Sequence, residues 1–179
     1  MGARAGRLAV PALRGAPRLV SKAMRIACGF DHAGAPLRDA VVSALEQDGH
    51  TVEDVGTFDD YPYAAAAVAR ALEDGAERAV LVCGSGAGVS VAATKLPGVR
   101  AATVHDTYTA HQGVEHDDLN VLCLGARVIG PELARELVRT FAAASFTGAD
   151  RHRRRLGQVA ALERDGLDGL PEPATGDHS

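Results

Sequence analysis

Tryptophan is absent from this 179-residue chain, and aromatic residues make up only 4% of it. Base-stacking surfaces need aromatic faces and a basic field, so a nucleic-acid binder is a poor fit. Acidic residues are missing from positions 1–23, which hold Arg4, Arg7, Arg14, Arg18 and Lys22. These are five of the 19 basic side chains, leaving 14 against 23 acids in the remainder. Cysteine is sparse: Cys28, Cys83 and Cys123 supply neither a disulfide framework nor a CxxC zinc pattern. No apolar run approaches the ~20 residues that a membrane helix needs. The expectation is a soluble, cytoplasmic protein of a reducing compartment, with no membrane or nucleic-acid partner. The length suits one domain of about 100–200 residues.

The basic start lacks the apolar core of a secretory signal. An Arg-rich, acid-free segment suits a transit peptide, a disordered leader or an over-extended start, because Met24 stands just before the first strand pattern. The last residues, DGLDGLPEPATGDHS, are rich in Gly, Pro and Asp without periodicity, as in a frayed tail. The expected organisation is a leader over 1–23, one domain over 24–165 and a disordered tail over 166–179.

Between the ends, short apolar runs alternate with helical periodicity. Strand patterns fall at residues 25–30, 51–55, 79–83, 99–104 and 120–125. Helical patterns fall at 37–45, 64–72, 89–95, 108–116, 131–144 and 151–164. This alternation predicts an α/β fold: a five-stranded parallel sheet with helices on both faces. Ligands of such sheets sit at the carboxyl ends of the strands, near the switch in strand order. Asp31 and His32 follow the first strand, and Cys83-Gly84-Ser85-Gly86-Ala87-Gly88 the third. His105-Asp106 follow the fourth, His116-Asp117 precede the fifth, and Arg127 comes just after it. All are expected on one edge of the sheet.

Alternate glycines let a backbone curl with its N–H groups inward, a nest for a phosphate or an oxyanion. The turn is neither a GxGxxG fingerprint, since position 89 is Val, nor a P-loop. Cys83 opens this turn, where a helix N-terminus favours a thiolate able to act as nucleophile or base. Cys28 and Cys123 lie inside strand patterns and read as core residues. His50 and His178 read as surface residues. His105, His111 and His116 are not at metal-ligand spacing, so no metal is expected. Arg151-His-Arg-Arg-Arg155 is a basic cluster in an acidic body, with Arg151 and Arg155 on one helical face. It is either a solvated face or a phosphate clamp.

The runs IACGFDHAG, DYP (60–62), CGSGAGVSVAATKLPGVRAA, HDTYTA, EHDDLNVLCLGARVIG and RHRRR occur in this order. Together they resemble the ribose-5-phosphate isomerase B family, which includes the galactose-6-phosphate isomerase subunits. The resemblance covers about residues 24–164. It implies a Rossmann-like three-layer sandwich and cofactor-free, metal-free aldose–ketose isomerisation of a phosphorylated sugar through an enediolate. The first expected pair is ribose 5-phosphate and ribulose 5-phosphate. It also implies a homodimer with active sites shared across its interface, which can pair further into a tetramer. By resemblance, Cys83 is the base, Gly84, Ser85, Gly86, Ala87 and Gly88 stabilise the enediolate, and His116 opens the sugar ring. Asp31, His32 and Tyr61 contact substrate, and Arg127, Arg151 and Arg155 hold the phosphate. A family branch with a glutamate six positions after the cysteine is not matched, because that position is Val89. Asp117 stands where the family commonly has Asn, which leaves other substrates open: a tetrulose phosphate, or galactose or allose 6-phosphate. A cysteine-nucleophile hydrolase and a non-catalytic sugar-phosphate sensor are the readings from other classes.

Overall fold

Five short runs rich in Val, Leu and Ala pair as parallel strands in the computed structural model, which describes residues 22–170. They are β1 (Arg25–Asp31), β2 (Thr51–Phe58), β3 (Arg78–Cys83), β4 (Ala101–Thr103) and β5 (Val121–Gly125). Their order across the sheet is β2-β1-β3-β5-β4. The helices are α1 (Arg38–Gln47), α2 (Tyr61–Glu73), α3 (Ala87–Ala93), α4 (Thr107–Asp117), α5 (Pro131–Ala143) and α6 (Asp150–Asp165). Most of the expected leader and tail, residues 1–21 and 171–179, lies outside the described residues. The segment expected as tail begins with a 3-10 turn over Gly166–Gly169, packed back on α6.

The period of two in each strand splits the core into two layers. Val80 and Val82 of β3 join Ile26, Phe30, Leu122 and Leu124 under α1, α4 and α5. Ala79, Leu81 and Cys83 join Ala27, Val121 and Cys123 under α2 and α3. This is the expected three-layer α/β sandwich. No helix among the described residues is long and apolar enough to cross a membrane.

Element ends differ from the sequence patterns for local reasons. The β2 strand runs on to Phe58 because the β1 register skips Val55, a bulge that lets pairing resume at Gly56. The β4 strand is shorter than expected. Beside it the Asn120 side chain accepts from Arg100 N at 2.8 Å and donates to Gly98 O at 2.9 Å, replacing strand pairing. His50, expected at the surface, is buried, and its Nδ1 accepts from Met24 N at 3.3 Å.

The chain leaves β1 toward β2 and returns to pair β3 on the other side of β1. The reversal of strand order therefore falls between the carboxyl ends of β1 and β3. Since Phe30 pairs with Val82, Asp31 and Cys83 end neighbouring strands at that crevice.

Candidate active site

Cys83 is 4% exposed, and its Sγ accepts a hydrogen bond from Gly86 N at 3.1 Å. The turn that makes this possible needs Gly86, whose φ of +81° suits glycine alone among common residues. The following helix has only seven residues, so the nearby N–H groups matter more than any long-range dipole. The loop carbonyls are tied back. Cys83 O accepts from Ala126 N, Gly84 O from Arg127 N, and Gly86 O from Thr103 Oγ1, each at 2.9 Å. Ala87 N turns to Ser85 Oγ at 3.3 Å. Among the described residues, the N–H groups of Gly84, Ser85 and Gly88 have no hydrogen-bond acceptor. A loop with most of its carbonyls engaged and several donors left over is built to receive negative charge.

The other two thiols are not available in this way. Burial pushes the Cys28 thiol up, with the Asp54 and Glu46 carboxylates adding to it. Burial likewise pushes Cys123 up to about 12, aided by Cys83. Both stay protonated, as expected of core residues.

Around Cys83 the remaining residues of this group fall into place. Asp31 is buried and its Oδ1 accepts from Gly34 N at 2.8 Å, which holds the β1 turn. His32 is exposed; its Nδ1 lies 2.8 Å from Asp59 O, and its backbone N–H donates to Phe58 O at 2.9 Å. Tyr61, in the first turn of α2, lays its ring against Gly88, where an added Cβ would stand 3.2 Å from it. The Arg127 side chain passes Gly84 in the same way, at 3.5 Å. His105, which follows the fourth strand, also reaches this edge. Its Nε2 accepts from Gly125 N at 2.9 Å, and burial keeps its pKa low.

A second group forms elsewhere. His116 lies in the last turn of α4, and its Nδ1 is 2.7 Å from the Gln112 amide nitrogen. That nitrogen can only donate, so the neutral imidazole carries its proton on Nε2. The His152 ring lies 4.2 Å from that of His116, tilted by 38°. Arg151 Nε donates to His152 Nε2 at 2.9 Å, and Arg155 and Asp117 belong to the same electrostatic neighbourhood. Arg127, Arg151 and Arg155 have no carboxylate partner among the described residues. A groove of about 1110 Å³ runs beside this group, between α4, α6 and the approach to β4. Arg100, Gln112, Asp117, Leu156, Val159 and Glu163 are among its lining residues.

The expectation of one polar edge is corrected here. Asp31, Cys83 and Arg127 stand at the carboxyl ends of their strands, whereas His116 and Asp117 precede β5 and stand at its amino end. Helix α4 carries the chain back across the sheet over 11 residues, about 16 Å at 1.5 Å each. Among the described residues, no hydrogen bond, ion pair or ring contact joins Cys83 to His116. Nor is any group of three His, Cys, Asp or Glu side chains gathered as a metal ion needs.

The sequence model of the family described as Ribose/Galactose Isomerase matches residues 26–159. The chain belongs to this family. It is 39% identical over 145 residues to ribose-5-phosphate isomerase B of Escherichia coli (strain K12), covering 78% of this chain and 97% of that one. It is 40% identical over 149 residues to D-erythrulose-4-phosphate isomerase 2 of Mycolicibacterium smegmatis, covering 79% and 98%. The solved ribose-5-phosphate isomerase B of Clostridium thermocellum superposes with a TM-score of 0.75 at 40% identity, over 78% of this chain and 97% of that one.

The sequence reading missed one residue of the second group. His152 sat unremarked within a basic run, yet it is the one buried residue of α6. The available signal was its place beside Arg151, where α6 first meets α4.

Proposed function

We propose that the protein interconverts the aldose and ketose forms of a phosphorylated sugar, with ribose 5-phosphate and ribulose 5-phosphate as the pair. Its working form is a cytoplasmic homodimer in which each site takes residues from both chains. The observation that carries the chemistry is the Cys83 sulfur beside a loop with spare N–H groups. A proton next to a carbonyl becomes removable when the resulting oxyanion is held by fixed donors, usually the largest catalytic contribution.

The steps follow from that arrangement. His116 gives its Nε2 proton to the ring oxygen as the C1–O bond opens, and the C1 hydroxyl releases its own proton, which returns to the imidazole through solvent, leaving the free aldehyde. The Cys83 thiolate takes the C2 proton, and charge moves to O1, where the N–H groups of Gly84, Ser85 and Gly88 receive it. The thiol returns the proton to C1 while the O2 hydrogen passes to O1, giving the ketose. Asp31, His32 and Tyr61 line the sugar, while Ala87 and Gly86 shape the loop beneath it. Arg127 of one chain, with Arg151 and Arg155 of the other, grips the phosphate and fixes the reacting carbons.

The second copy is called for by the separation of the two groups across the sheet. A proton donor that α4 carries to the opposite edge of the sheet from the base serves the same sugar only if another chain brings it. Exposed apolar residues near both groups, Tyr61 and Val91 on one side and Val159 and Leu162 on the other, suit such a contact.

A tetrulose phosphate is the second reading of the substrate. It is favoured by the relative named D-erythrulose-4-phosphate isomerase 2, which is as similar as the ribose 5-phosphate isomerases. The test is a panel of phosphorylated sugars, with phosphate-free sugars as controls, run in tritiated water with chelator. Turnover of ribose 5-phosphate with tritium entering the ketose at C1 supports the proposal. A trapped covalent adduct on Cys83 would replace the base with a nucleophile, and binding without turnover would leave a sensor.

A further inference from the structure

His152 is 1% exposed although it sits in a run of arginines, and every polar atom of its ring has a partner. Arg151 Nε lies 2.9 Å from Nε2, and a guanidinium only donates, so Nε2 accepts. The proton of the neutral ring is then on Nδ1, 2.9 Å from Thr147 Oγ1. That hydroxyl is itself 3.1 Å from Glu115 O, which takes its hydrogen. The chain of donors runs in one direction: Arg151 to His152 to Thr147 to the α4 backbone. A second proton on the ring would set N–H against N–H at Arg151.

The surroundings agree. From α4, His116 and the Asp117 carboxylate act on this ring, while Glu115 meets Thr147 through its backbone oxygen; from α6, Arg151 and Arg155 act on it; the connecting segment adds Phe146 at 6.5 Å. Burial lowers the His152 pKa, and His116, Arg151 and Arg155 lower it further against a weaker opposing pull from Asp117.

We propose that His152 is a positioning residue: a neutral Nδ1–H imidazole whose Nε2 aims Arg151 at the phosphate and whose face supports the His116 ring. The inference rests on the functional reading above, because it assigns Arg151 and His116 their tasks. One side chain then couples the grip on the phosphate to the group that opens the sugar ring. Both ends of the substrate would be presented by a single rigid unit built on α4 and α6.

Two measurements test it. The first uses the wild-type enzyme without substrate: ¹⁵N spectra of histidine-labelled protein between pH 6 and pH 8. A pyrrole-type Nδ1 and a pyridine-type Nε2 for His152 support the proposal. The opposite tautomer, or a doubly protonated ring at neutral pH, overturns it whatever the substrate proves to be. The second compares His152→Gln, whose Oε1 can still accept from Arg151, with His152→Asn, whose amide reaches Thr147 instead. KM for the sugar phosphate stays near wild type in the first and rises about tenfold or more in the second. In both, kcat falls because the ring beneath His116 is gone. Equal KM values in the two variants, or an unchanged kcat in both, would overturn the assignment. Absence of turnover in the wild type would sink the functional reading while leaving the tautomer result to stand.

Discussion

A Cβ placed on Gly125 would stand 2.6 Å from the carbonyl carbon of Ser85. The end of β5 and the loop after β3 are thus in backbone contact. The same glycine donates its N–H to His105 Nε2, so it cannot retreat without breaking a half-buried hydrogen bond. The loop that carries the spare N–H groups is shaped by the absence of one methyl on a neighbouring strand.

Gly125→Ala is therefore expected to push the loop away from Cys83. The cost in stability is about 1–3 kcal/mol, as for other overpacked sites. The cost in kcat is larger, about 10²-fold, because misplacing catalytic donors by an ångström is that damaging. Melting curves and steady-state kinetics on the same sample separate the two effects; a variant with normal kcat would show that the loop tolerates the shift.

Cys83→Ala is expected to remove the proposed base and keep the fold. The expected loss in kcat is about 10²–10⁴-fold, the usual contribution of a positioned general base. Cys28→Ala is the contrasting variant, because Cys28 faces the layer under α1, α4 and α5 and its thiol is held protonated by burial. It should lose about 1–2 kcal/mol of stability and little activity. If the two variants lose activity equally, Cys83 has no special place.

Much of this architecture can be read in the residues. Apolar runs such as Ala79–Cys83 announce strands buried on both faces, and Pro131 marks a helix start that the structure places at the same residue. Cys83 is legible because it combines a strand end with alternate glycines. The position of His116 is not legible from its nearness to a strand. It precedes β5 rather than following it, and parallel pairing turns that small difference into the full width of the sheet. His152 and His50 were hidden for another reason. Their polarity suggests surface, and only the packing of α6 on α4, or of Met24 over His50, buries them.

Acid should destabilise the protein through its histidines before its carboxylates titrate. His50, His105 and His152 all have lowered pKa values, with burial the leading cause in each. In the unfolded chain each takes up a proton near pH 6.5, a common reference value of about 6.5. In the folded chain each does so at lower pH. The unfolded state thus binds more protons as pH falls below about 7, and stability falls with it. Above that range the contribution is fully present. Melting temperature should drop between pH 7 and pH 5, and the drop should be shallower in His50→Asn, where the amide oxygen can still accept from Met24 N. A profile flat over this interval would contradict the burial of these rings.

The separation of Cys83 from His116 makes a prediction about mixtures. If each site draws Cys83 from one chain and His116 from the other, then Cys83→Ala and His116→Ala proteins are each inactive alone. A heterodimer of the two has one site carrying both substitutions and one carrying neither. Random re-association of equal amounts makes half of the dimers mixed, each with one of its two sites intact, so about a quarter of wild-type activity returns. The measurement is activity before and after unfolding and refolding the two proteins together, against each refolded alone. Two chains that each held a complete site would give no recovery, because every site would then carry one of the two substitutions. The outcome depends only on which chain supplies which residue, and not on the identity of the sugar.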